Sequence, residues 1–403
     1  MSTREVDLIV VGGGPAGIGA ATVAAQHGLS VVVLDEHPRP GGRLLGQLHE
    51  LPGHGWWRGA QVAAAMLAEA RQSGVEIICG ASAWGIRPQW ELLVSGAPFE
   101  SIQAPRVLIA TGAAEKSVPI PGWTLPGSMT AGAAQVFVNV HRVKPGRRAL
   151  LVGVNVLTLT IARELALAGV EVAGIVLPPP GPFAEESANP TRVIAAMGRM
   201  ANLAPSPFLR LAGQIFGGGR EALGATLFPK DGVKVWGIPL LLRQAAVEIL
   251  GDGEVSGAVL EEVSPTGRPT GRRRTVALDT VCISDGLYPL GELAVAAGCQ
   301  FADIPDLGGR VPLCGPDLQT TAPGLFVAGN ITGIEGAAIA MAQGRVAGYG
   351  IVAHAGLGAL NSPAFREAQA ALEEARATSA TTFMPNLRRG LAQRDQLWQS
   401  RGL

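Results

Sequence analysis

The chain has 403 residues with 32 basic and 32 acidic side chains, a formal net charge of zero. That balance excludes a nucleic-acid partner held by a net basic footprint, and 47% hydrophobic against 16% charged residues excludes a disordered chain. The length predicts more than one core, and 55 glycines suit an α/β protein with buried parallel strands and many tight turns.

No apolar run reaches membrane-spanning length without a charge; Arg163 and Glu164 interrupt the longest candidate. Met1 to Glu5 lacks the apolar stretch and cleavage site of a signal peptide, so a cytoplasmic location is expected. Cys79, Cys282, Cys299 and Cys314 form no C-x-x-C pair, so neither a metal site nor a redox dithiol is signalled. Three of them lie in or beside apolar runs and read as buried free thiols.

In chain order, Asp7 to Val11 reads as a strand, Gly12 to Gly17 as a glycine-rich turn, Ala20 to His27 as a helix closed by Gly28, and Leu29 to Leu34 as a second strand. His49 to Trp57 reads as a loop and Gln61 to Gln72 as a helix. Strands follow at Val75 to Cys79, Ala83 to Ile86 and Arg106 to Ala110, with a hairpin portion over Glu91 to Ser101. The Pro-rich stretch Val118 to Pro126 reads as an interdomain crossing. Ala149 to Val152, Val156 to Ala168 and Val170 to Leu177 repeat the opening strand–helix–strand pattern, which Pro178-Pro179-Pro180 stops. Residues 181 to 230 show only scattered helical patterns. Val233 to Ile238, Glu254 to Glu262 and Thr275 to Ile283 read as a small sheet, with Arg272-Arg273-Arg274 at a solvated hairpin tip. Leu325 to Ala328 is a last strand, followed by helices over Gly336 to His354 and Ala364 to Ala377.

The chemistry concentrates in three motifs. Gly12-Gly13-Gly14-Pro15-Ala16-Gly17 is a G-x-G-x-x-G between strand and helix. Gly12 permits the turn, Gly14 lets backbone approach a pyrophosphate, and Gly17 lets helix and strand pack closely. The helix beyond offers free N–H groups and partial positive charge. Asp35 stands 23 residues after Gly12, where a carboxylate accepts from ribose hydroxyls; Glu36, pointing to the other face, ranks second. The strand end Ala110-Thr111-Gly112 is small enough to crowd a bound dinucleotide, and Val327-Ala328-Gly329-Asn330 leads into the last long helix.

Gly12 to Gly17 with Asp35, Gly41-Gly42, Ala110 to Gly112 and Ala328 to Asn330 resemble the two-dinucleotide-domain flavoproteins of the pyridine nucleotide–disulfide oxidoreductase superfamily. The resemblance implies FAD on a Rossmann-like domain. It further implies that Asn330 stands where the family usually has an Asp at the ribityl chain or flavin phosphate, and that backbone at Ala337 and Ala338 would stabilise negative charge on the reduced flavin. Gly42 and Arg43 belong to the same candidate site. Ala113-Ala114-Glu115, Pro121 to Gly127, Thr130 to Gln135, Gly286 to Pro289 with Glu292-Leu293, and Gly333 to Gly348 narrow the resemblance. They are similar to the FAD-binding alpha-type subunits of multi-subunit amine, imino-acid and opine dehydrogenases, over about residues 5 to 355. The implied fold class is α/β with two Rossmann-like domains and a helical C-terminal tail. The expected boundaries are 1–117 and 289–360 for a discontinuous FAD domain, 118–288 for a degenerate NAD(P)-type domain with an insertion near 181–230, and 361–403 for the tail.

The resemblance also frames what is missing. Disulfide reductases carry a cysteine pair soon after Gly41-Gly42; here Arg43-Leu44-Leu45-Gly46-Gln47 follows, without sulfur. The second glycine motif reads Gly153-Val154-Asn155-Val156-Leu157-Thr158, and the position equivalent to Asp35 is Val176, so the second domain is expected to be structural. Family members often end in a cysteine-rich [2Fe-2S] domain, whereas residues 351 to 403 contain no cysteine. His49, His54, Trp56-Trp57 and Arg43 are near-flavin candidates, with surface or core roles as the plainer alternative; His27, His141 and His354 sit in helical context. No catalytic residue and no metal ligand stands out. The expected function is an FAD electron-transfer subunit of a hetero-oligomeric dehydrogenase or oxidase for an amine, imino acid or opine. Its partners would be a small [2Fe-2S] protein and a catalytic flavoprotein subunit. Two alternatives stay open: a stand-alone FAD oxidoreductase that oxidises a small substrate or uses NAD(P)H, and a non-catalytic scaffold holding a structural nucleotide.

Overall fold

The computed structural model describes residues 3–51, 55–199, 201, 207–379 and 383–401. The chain forms two compact units: 1–47, 58–114 and 287–403 make the first, and 48–57 with 115–286 make the second. In chain order the first unit contributes β1 (Leu8–Val11), α1 (Pro15–Gln26), β2 (Val31–Asp35), α2 (Gly59–Gln72), β3 (Glu76–Cys79) and β4 (Val107–Ile109). The second contributes β5 (Ser128–Thr130), α3 (Ala131–Asn139), β6 (Arg148–Val152), α4 (Val156–Leu167), β7 (Glu171–Leu177), β8 (Val233–Val235), β9 (Ile238–Asp252), β10 (Glu254–Val263), β11 (Pro269–Ala277) and β12 (Thr280–Ile283). The first resumes with β13 (Leu325–Val327), α5 (Ala337–His354), α6 (Pro363–Thr378) and α7 (Leu387–Gln399).

In the first unit a five-stranded parallel sheet runs in the order β13-β4-β1-β2-β3. Its strands are continuous apolar runs, as burial on both faces requires: Leu8 to Val10, Val107 to Ile109 and Leu325 to Val327 are all 0% exposed. A four-stranded sheet, formed by Thr3–Glu5, Ser101–Gln103, Glu91–Ser95 and Ser82–Arg87, belongs to the same unit. The C-terminal segment is built into this unit rather than trailing from it. Phe365, Ala368 and Leu372 of α6 enter the main core, and Leu391 of α7 closes a small cluster with Ile304, Leu307 and Val311. The α7 helix is a second C-terminal helix that apolar spacing did not reveal, because its pattern is mostly polar.

The second unit is built on an eight-stranded sheet, ordered β5-β12-β6-β7-β9-β10-β11 with β8 beside β9. It is parallel from β5 to β9 and antiparallel beyond. Strand alternation sends Ala149 and Leu151 to the core under α3 and α4, and Leu150 and Val152 to the opposite core.

Several sequence expectations are corrected. Residues 233–283 are not a separate small sheet; they extend the sheet that holds β6 and β7, and β9 runs 15 residues where no long strand was expected. Arg272 to Arg274 lie inside β11, not at a hairpin tip, and pair outward with Glu262, Glu261 and Gln244. The Pro-rich stretch is not the crossing. The chain changes unit between Ala114 and Glu115, and Val118 and Ile120 are buried in the second unit's core. The loop expected at 49–57 contains two paired strands, Leu48–Leu51 and Gly55–Arg58, while His54 lies outside the described residues. Residues 190–198, 207–216 and 221–227 are three short helices.

Candidate functional site

At the carboxyl ends of β1, β4 and β13 three loops of the first unit converge with almost no side-chain volume between them. The helix α1 begins earlier than apolar spacing indicates, at Pro15, with Gly14 as an N-cap that makes no side-chain cap bond. Proline lacks an N–H where the helix would leave one unpaired, and the N–H groups of Ala16 and Gly17 follow at an uncapped, positive helix end. Gly12 is fixed twice over: its φ is +105°, and a Cβ there would lie 2.4 Å from the Ala110 carbonyl oxygen. A Cβ on Gly17 would lie 2.0 Å from the Gly12 carbonyl oxygen, and one on Gly42 2.9 Å from the Gly14 Cα. Around Gly14 itself the nearest atom to an added Cβ would be 3.9 Å away, at Gly42. This open backbone cradle is what a diphosphate needs.

Asp35 closes β2 and is 7% exposed. Its Oδ2 accepts from the Gly13 N–H at 2.7 Å and its Oδ1 from the His37 N–H at 2.8 Å. The carboxylate therefore holds the glycine turn, and with one such bond on each oxygen it retains lone pairs for sugar hydroxyls. Glu36 is exposed. Arg43 is exposed on the short 3-10 turn Gly42–Gly46, which Leu44, 1% exposed, anchors.

The strand end after β4 presents Ala110 with its carbonyl against Gly12, while the Thr111 hydroxyl donates to the Leu290 carbonyl at 2.5 Å and Gly112 turns with φ +77°. After β13, a Cβ on Gly329 would sit 3.0 Å from the Ala16 Cβ, which brings the Asn330 loop to the start of α1. The α5 helix carrying Ala337 and Ala338 starts at Gly336, again without a side-chain cap. It lies tight on α1: a Cβ on Gly344 would be 2.3 Å from the Ala16 carbonyl oxygen and one on Gly348 2.7 Å from the Val23 Cβ. Gly12 thus lies against Ala110, Gly14 against Gly42, and Ala16 against Gly329. Sequence reading did not single out Gln343 and Glu335, buried at 1% and 5% beside this loop. The available signal was a lone amide and a lone acid in a run of small residues.

The second glycine turn is built differently. Gly153 keeps its φ of +106° because a Cβ would meet the Ser284 carbonyl oxygen at 1.8 Å. The α4 helix, however, caps itself: Asn155 Oδ1 accepts from the Thr158 N–H, and Thr158 Oγ1 accepts from the Asn155 N–H, each at 3.0 Å. Those side chains hold the donors that a phosphate would otherwise take, and Val176 is buried in β7 at 0% exposure. Glu164, 2% exposed on α4, accepts from Gln135 and Asn139 at Oε2, each at 2.9 Å, and from the Leu48 N–H at Oε1 at 3.3 Å. Burial pushes its carboxyl up to about 7 against the pull of those three donors. Beside it the Arg163 guanidinium lies 5.2 Å from the Trp56 ring centre and 5.1 Å from that of Trp236. His49 stacks on Trp57 in the same unit, and burial lowers its pKa.

His27 and His354 hold structural positions. His27 meets the Val23 carbonyl at 2.8 Å, and His354 packs edge-on to Phe326. Burial raises the pKa of all four free cysteines, Cys282 to about 12, which works against the thiolate that dithiol exchange requires. Only Cys282 and Cys314 are fully buried; Cys79 and Cys299 are half-buried. Among the described residues no group of three or more metal-binding side chains occurs, and no helix is long and apolar enough to cross a membrane.

A family model described as pyridine nucleotide-disulphide oxidoreductase matches residues 6–186, and one described as glucose inhibited division protein A matches residues 312–357. The chain is 30% identical over 352 residues to hydrogen cyanide synthase subunit HcnB of Pseudomonas aeruginosa, covering 85% of this chain and 70% of that one. It is 28% identical over 365 residues to an opine oxidase subunit of Agrobacterium tumefaciens (strain Ach5), covering 86% of this chain. It spans 65% of the length of that opine oxidase subunit. Among solved structures, L-proline dehydrogenase from P. horikoshii superposes with a TM-score of 0.65 at 18% identity, over 93% of this chain and 60% of that one. Thioredoxin reductase from T. acidophilum does so with a TM-score of 0.60 at 20% identity, over 87% of this chain and 99% of that one. At such identities these two likenesses speak to the fold.

Proposed function

This chain belongs to the pyridine nucleotide-disulphide oxidoreductase family and is an FAD-dependent oxidoreductase; from that premise we propose that it is the FAD-carrying subunit of a hetero-oligomeric dehydrogenase or oxidase acting on an amine, imino acid or opine. The observation that carries the reading is the contrast between two helix ends. The amino end of α1 is uncapped and faces a glycine cradle, whereas the amino end of α4 is closed by Asn155 and Thr158. The first helix end leaves its N–H donors to a ligand, and the second binds them with its own side chains. Relatives named as subunits of opine oxidase, hydrogen cyanide synthase and sarcosine oxidase support membership of a larger assembly.

FAD, once bound, supplies the electron-accepting and electron-donating chemistry. In this reading Ala16 and Gly17 offer N–H donors to the diphosphate over the Gly14 gap, and Asp35 takes the adjacent ribose. Ala110 to Gly112 crowd the nucleotide, Asn330 reaches the ribityl–phosphate region, and the free N–H groups of Ala337 and Ala338 favour negative charge. The C–N bond would be oxidised on a partner flavoprotein, and a small [2Fe-2S] protein would pass electrons between the centres. A discontinuous FAD domain around a structural second domain belongs to the same proposal, with the chain crossing at 114/115 and 286/287.

The chain expressed alone should carry one FAD, absorb as a flavoprotein, and turn over no amine, imino acid or opine until its co-purifying partner is added. A colourless pure chain would remove the flavin from the proposal, and full dehydrogenase activity from the isolated chain would remove the partner.

A further inference from the structure

A buried polar chain runs from α6 to the Asn330 loop. Gln343 Oε1 accepts from the Gly329 N–H at 2.8 Å and from the Thr332 hydroxyl at 3.1 Å, while its Nε2 donates to Glu335 Oε1 at 2.7 Å. Arg376 of α6 meets the same carboxylate with two prongs, Nε to Oε2 and Nη2 to Oε1, each at 2.9 Å. Its Nη1 donates to Glu373 at 2.7 Å. The Glu335 N–H in turn donates to Asn330 Oδ1 at 3.1 Å. A backbone N–H can only donate, so the Asn330 amide oxygen must face it and the NH2 must face away.

These bonds set three things together: the Gly329 N–H, the donor face of Asn330, and the charge one residue before the N-cap of α5. A carboxylate as buried as Glu335 is sustained by its paired cation, and the planar guanidinium fork matches both of its oxygens.

We propose that Arg376 is a positioning residue for the flavin: through Glu335 it fixes the donor face of Asn330 and neutralises the carboxylate beside the amino end of α5. The inference rests on the reading that FAD lies against Asn330, Ala337 and Ala338. The C-terminal helix α6 thereby becomes a working part of the flavin site.

The test uses the holoprotein, with the FAD dissociation constant read by titrating apoprotein and the midpoint potential of the bound flavin read by dye equilibration. Arg376→Met leaves Glu335 bare, so FAD should bind at least tenfold more weakly and the potential should move negative, because reduced flavin gains negative charge. Glu335→Gln removes the buried anion and leaves Arg376 paired only with the exposed Glu373, so the potential should move positive. The double variant Glu335→Gln/Arg376→Met should return the potential toward wild type, and Arg376→Lys should restore the potential with only part of the affinity. A salt bridge that serves the fold alone would lower Tm without moving either potential, and that result overturns the inference. If Arg376→Met does not fold, Glu335→Gln decides by itself, an unchanged potential counting against the proposal. A wild-type chain without FAD overturns the flavin reading and this inference with it; a flavin-loaded wild type with unmoved variants overturns the inference only.

Discussion

Replacing Glu164 by glutamine removes a buried carboxyl that burial forces out of its ordinary range. Its pKa rises from 4.5 to about 7, with burial the dominant cause, opposed by Gln135, the Leu48 N–H and Asn139. An acid whose folded value exceeds its unfolded value holds its proton longer in the native state. Its stabilising contribution is therefore complete below pH 4.5 and lost as pH rises through about 7. At 1.36 kcal/mol per unit the whole effect is about 3 kcal/mol, most of which disappears between pH 5 and pH 8. Glutamine does not titrate, so the stability difference between wild type and Glu164→Gln should swing by that amount, in the direction of relative gain for the variant as pH rises. The variant also loses an acceptor among three donors, which costs about 1–3 kcal/mol at every pH and leaves the slope untouched. Native-state hydrogen exchange at α3 and α4 amides, corrected for intrinsic rates, reads the difference locally. A difference that stays flat from pH 5 to pH 8 would refute the argument that desolvation governs this carboxyl.

Three further outcomes follow from the geometry. Gly12→Ala combines a left-handed backbone with a Cβ 2.4 Å from the Ala110 carbonyl, a cost of about 2–5 kcal/mol; denaturant unfolding should show it along with lost flavin, and a variant within about 0.5 kcal/mol of wild type would contradict the contact. Asp35→Ala leaves the buried Gly13 N–H without its acceptor, so both loop stability, by about 1–3 kcal/mol, and FAD affinity should fall; equilibrium dialysis showing wild-type affinity would count against the role. NADH should not bleach the flavin rapidly in stopped flow, because Asn155 and Thr158 close the second helix end; bleaching within milliseconds at micromolar NADH would show that this capping does not exclude a nucleotide.

Local rules made much of this molecule legible without coordinates. The strand, glycine turn and helix from Asp7 to His27 and their repeat from Ala149 to Leu177 are readable because turn chemistry, apolar runs and helix stops are encoded in neighbouring residues. The absence of a cysteine pair after Gly42 and the loss of glycines after Gly153 need only the one-dimensional chain. Tertiary structure decided what depends on partners distant in sequence. Val118 and Ile120 enter the second unit's core although proline-rich segments look like linkers, and Arg272 to Arg274 become strand because β10 offers a ladder to pair with. Glu335 and Arg376 stand 41 residues apart, and no spacing rule joins an acid before one helix to a base near the end of another. Only the packing of α6 on α5 brings them into hydrogen-bond range, because a buried charge finds its counter-ion through the fold and not through the order of the chain.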